Sequence, residues 1–130
     1  MNAKTVIATT ISSMGLFLIA STAVKADEHE AVMAAERHAG LASKAGDLHG
    51  VQMHLHHVLN CLVGPDGNGF DADEANPCAQ AGAAIPQASN PEMMHQLEMV
   101  ADGVRKGLAT DDLSAAKEAA MHAEAMLKDE

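Results

Sequence analysis

Fifteen residues, 48–62, hold four of the chain's eight histidines together with Met53 and Cys61. Imidazole nitrogens and thioether or thiol sulfurs are the donors that transition metals take from proteins. The useful question is whether one surface collects them. Plotted at the 100° per residue of an α-helix, the segment separates into three stripes. Leu48, Val51, Leu55, Val58, Leu59 and Leu62 form an apolar one. His49, Met53, His56 and Asn60 form a second, and His54, His57 and Cys61 a third. Side chains three or four apart on a helix are neighbours and can share one ion. One helix rarely supplies more than two ligands to a single metal, so a neighbouring helix, a second subunit or water must complete the shell.

The set His49, Met53 and His56, with His57 beside it, is the expected metal site. Further donors are available at His29 and Met33, His38, His54, His95 and Met99, and His122. The spacing His-x-x-x-Met recurs at 29/33, 49/53 and 95/99. Imidazole suits copper, zinc, nickel and iron, and a thioether adds a preference for Cu(I). Copper is therefore the first expectation and zinc the second. Competition by protons predicts that affinity falls as pH approaches the ordinary imidazole pKa of about 6.5. His38 lies within an apolar stripe and reads equally as a hydrogen-bonded core histidine. Met33, Met93 and Met126 read as core filler sooner than as ligands.

Helices must carry these donors, because the chain offers little else. It has few β-branched residues after its first third and no sustained alternation of apolar and polar residues. All four prolines fall at 65–91. On either side the apolar residues recur at helical spacing. The expected order is helix 1 over about 28–44, helix 2 over about 48–63, a loop at 64–90, helix 3 from Pro91 with Asn90 as its N-cap, and helix 4 with Asp111 and Asp112 in its first turn. Four amphipathic helices with short connections imply an all-α, antiparallel four-helix bundle in one domain, 27–130.

The front of the chain reads differently. Lys4 precedes a charge-free apolar run over 5–24, which closes on Val24-Lys25-Ala26. This is the pattern of a cleaved secretory signal peptide over 1–26 and predicts a periplasmic protein. Export also predicts a Cys61–Cys78 disulfide, since thiols oxidise in that compartment. Such a bond would tie the long loop at both ends.

Composition excludes several classes. The net charge is −10, and the chain becomes more acidic when Lys4 and Lys25 leave with the leader. That opposes nucleic acid and anionic membrane surfaces and favours cations. There is no Trp or Tyr, and Phe70 is the only aromatic beyond the leader, so no stacking platform for bases or sugars exists. The acidic run 66–74 does not match a calcium loop, whose twelfth position must be Glu and here is Pro77. No nucleophile elbow, phosphate loop or zinc-protease motif occurs, so a non-enzyme is expected. A metal ion is the expected partner, with no nucleic acid and no membrane after cleavage, and a homodimer could bridge the outward-facing donors.

Haem b is the alternative cofactor. There is no Cys-x-x-Cys-His for covalent attachment, but one or two His or Met ligands could hold a b-type haem. In architecture the mature chain resembles the exported b-type cytochromes built as four-helix bundles. Met33 stands early in helix 1, as the methionine ligand of that family does. The resemblance implies electron transfer, but His122 sits too far from the end of helix 4 to match the family's terminal histidine. A non-catalytic module of the cell envelope, contacting partners through the loop, is the third reading.

Overall fold

The computed structural model describes residues 23–129, with side chains from Asp27 onward. The leader expected over 1–26 lies outside the described residues, apart from its last four positions, which open the first helix. Five helices and no strands are found among the described residues: α1 Ala23–Lys44, α2 Leu48–Val63, α3 Ala84–Gln87, α4 Pro91–Leu108 and α5 Leu113–Lys128. No helix there is long and apolar enough to cross a membrane.

Short polar caps set the helix boundaries. The Asp47 carboxylate accepts from the Gly50 amide at 2.8 Å and starts α2. Gly64 ends it with φ +71°, a conformation L side chains avoid, and its amide donates to the Asn60 carbonyl. Asn90 accepts from the Met93 amide at 2.9 Å with Pro91 at the first helical position of α4. Asp112 accepts from the Ala115 amide at 2.7 Å. It is thus the N-cap of α5 rather than a first-turn residue, and Asp111 lies one position further out. Each such cap contributes roughly 1 kcal/mol.

α1 packs on α2 and α5, and α4 packs on α5 and α2. The core between them is thin in volume. Leu55, Leu59, Leu62 and Leu97 are its largest fully buried side chains, and α1 contributes only Val32 and the alanines 31, 35, 39 and 42. Alanine faces let helices approach closely. Gly107 takes this furthest, since a Cβ there would stand 2.7 Å from the Ala119 Cβ and 2.9 Å from the Leu55 side chain.

The segment 64–90 is not detached from this core. Phe70, Ile85 and Ala88 pack against it, and α3 gives it one short turn of helix. Its far end is tied to α1 by the Ser89 amide, which donates to the buried Glu28 carboxylate at 3.0 Å. The Cys61–Cys78 disulfide holds its middle to the end of α2, with both cysteines buried and their Cα atoms 5.1 Å apart.

Candidate metal centre

Three imidazoles meet on the seam between α1 and α2. His38 comes from α1, and His54 and His57 from α2, where a spacing of three puts them on one stripe. The Nδ1 atom of His38 lies 3.3 Å from Nδ1 of His54 and 3.3 Å from Nδ1 of His57. One ring nitrogen from each falls within 4.8 Å of the other two. The rings themselves are close and mostly edge-on, with centroids 4.9–5.5 Å apart.

Hydrogen bonding alone does not use this arrangement fully. A neutral Nδ1 either donates its one N–H or offers one lone pair. The His38 Nδ1 therefore cannot make a full hydrogen bond to both neighbours. A metal ion would accept a lone pair from all three. The spacing suits it: nitrogens at the ~2.0–2.1 Å of a metal–imidazole bond, set tetrahedrally, stand about 3.3 Å apart.

The surroundings favour the neutral form that ligation needs at His38 and His57. His38 is pushed down to a pKa of about 4, first by burial, then by the cationic forms of His57 and His54, and then by Arg37. His57 is only 9 % exposed and is lowered as well, first by burial and then by His54, with the Glu74 carboxylate pulling the other way. Proton competition at His38 and His57 therefore sets in below the pH near 6.5 expected of free imidazole.

The loop supplies an outer layer. Glu74 places a carboxylate oxygen 3.6 Å from Nε2 of His57, the nitrogen on the far side of the ring from the cluster. Asn60 puts it there. This fully buried amide donates to the carbonyls of Asp71 at 2.9 Å and Ala75 at 3.1 Å, and accepts from the Asp71 amide at 2.9 Å. The chain from 71 to 75 is thereby clamped onto α2. A carboxylate behind a ligating histidine fixes which nitrogen carries the proton and raises the basicity of the other.

The donors expected from the sequence are distributed unevenly. His57 is in the cluster, joined by His38 and His54 from the wider set. His49 is exposed and outside the cluster, and Met53 is half-buried. His56 turns toward the loop, with Nδ1 3.5 Å from an Asp71 carboxylate oxygen. His29, His95 and His122 are exposed, as are Met33 and Met99. Cys61 and Cys78 are paired with each other. Glu74 and Asn60 were not expected as parts of a site. Asn60 was visible only as a polar residue on the His49 stripe, and its complete burial on α2 was the missing signal.

Comparison of the chain with known protein families, curated proteins and solved structures finds no significant match.

Proposed function

We propose that this chain is an exported carrier of a divalent transition-metal ion, copper first and zinc second, held by His38, His54 and His57. The observation that carries the reading is the pair of 3.3 Å Nδ1 separations centred on His38. Three imidazoles fill three positions of a tetrahedral shell and leave one open. An open position suits a carrier, because a receiving protein can begin to bind the ion before the carrier lets go. Buffering, delivery and resistance all need this property, and none needs catalysis. The acidic balance of the chain draws cations toward it. We further take the four long helices as an antiparallel bundle, and residues 1–26 as the leader that sends it to the periplasm.

Haem is less well supported. The two 3.3 Å Nδ1 separations at His38 are shorter than the roughly 4 Å that two trans metal–imidazole bonds would set across a haem iron.

The test is metal analysis of the chain recovered after export, with Zn(II) and Cu(II) titrated into the metal-free protein. One ion per chain is expected. The variant His38→Ala, His54→Ala should lose binding by more than about 100-fold, beyond the range seen for outer-layer changes. Unchanged binding in that variant would end the proposal.

A further inference from the structure

The other pair of helices holds a second group of donors that the histidine cluster does not use. On α4, His95 and Met99 are four residues apart, and on α5 His122 and Met126 repeat the spacing. The residues 109–112 join the two helices. The contact of Gly107 with Ala119 sets how the two helices lie against each other: it puts Met99 level with the Met126–Leu127 turn of α5 and His122 about one turn nearer the connection.

Met99, His122 and Met126 line one open groove of about 650 Å³ between α4 and α5. The close approach at Gly107 and Ala119 brings the helix backbones together, and the long side chains flank the seam. His95 lies one turn before Met99 on α4, outside the lining of the groove. Met99 is 50 % exposed, so the core does not claim its thioether. Asp102 and Glu118 share the groove with Lys106, which leaves its charge on the acidic side.

Two thioethers and one imidazole from two helices make a softer donor set than three imidazoles. Thioether sulfur selects Cu(I), whereas the histidine cluster contains no sulfur and suits divalent ions. We propose that Met99, His122 and Met126 form a second metal site, selective for a soft monovalent ion of the Cu(I) class. The site shares no residue with the His38 cluster, and each stands or falls alone.

The experiment is an anaerobic titration of the full chain, already saturated with Zn(II), with Cu(I) presented by a chromogenic chelator. The native chain should take one Cu(I) from the chelator. The double variant Met99→Leu, Met126→Leu preserves volume at one half-exposed and one partly buried position and should keep its helical circular dichroism and its Zn(II) binding. Its Cu(I) affinity should fall by at least about tenfold, the lower end of what even outer-layer changes cost. His38→Ala, His54→Ala should leave Cu(I) binding in place. The proposal is overturned if the native chain takes no Cu(I), if the leucine variant binds it as well as the native chain, or if Cu(I) is lost with the His38 cluster instead.

Discussion

The seam between α1 and α2 and the groove between α4 and α5 both gather metal donors from two neighbouring helices, yet they build different environments. In the seam, His38, His54 and His57 are partly desolvated and point their nitrogens at one another. The loop is bolted down by Asn60 and the Cys61–Cys78 bond and brings Glu74 to His57. In the groove, His122 is exposed and Met99 is half-exposed. The clamped loop makes the difference at His57, to which it offers a fixed carboxylate. A preorganised site loses less on binding, whereas an open one exchanges its ion more freely.

Removing the clamp should make the seam behave like the groove. Replacing Cys61 and Cys78 by alanine should lower stability by roughly 3 kcal/mol, as expected for freeing a loop of this length. Urea unfolding of the metal-free protein measures it. The same variant should bind Zn(II) more weakly while its Cu(I) binding at the groove is unchanged.

A subtler change leaves the loop in place. Glu74→Gln keeps the shape but withdraws the charge behind His57. Zn(II) affinity should fall by about 10–100-fold, the usual cost of losing an outer carboxylate. Calorimetry would show it, and an equal loss of Cu(I) affinity would mean that the two regions are not separate.

The smallest expected effect is on the stability of the metal-free protein against pH. His38 has a folded-state pKa of about 4 against 6.5 when free. Between those values the unfolded chain binds the extra proton and the folded chain does not. Stability from this group is therefore complete above about pH 6.5, falls as pH drops toward 4, and falls no further below it. His57 acts in the same direction. The effect is modest because His38 keeps part of its surface in water. His38→Asn should flatten this part of the stability profile between pH 6.5 and 4, and a profile identical to that of the native chain would show that the ring is not desolvated.

Much of the helical layout was legible from local chemistry. Asp47 before an apolar run and Gly64-Pro65 after it bracket α2 at Leu48–Val63, where periodicity alone would have left the ends loose. Asn90-Pro91 does the same for the start of α4. α3 was not legible, because four residues around Pro86 are too few to show a period. The site was legible only as a region. Stripes on α2 show which histidines share a face, but not which face meets α1, so His49 and His56 stood ahead of His54. His38 fell among alanines and read as core. It is indeed on the packed side of α1, but small neighbours leave its ring room to reach the seam. Glu74 had no signal at all, since the hydrogen bonds of Asn60 that deliver it join positions with no fixed spacing.

The most direct test of the histidine centre is a titration of the metal-free chain with Zn(II), read from the ¹⁵N resonances of its imidazole rings. The Nδ1 signals of His38, His54 and His57 should move together and reach their end point at one equivalent, while those of His29 and His49 stay where they were. Coordination shifts at His49 and His56, with the His38 ring unmoved, would contradict the account.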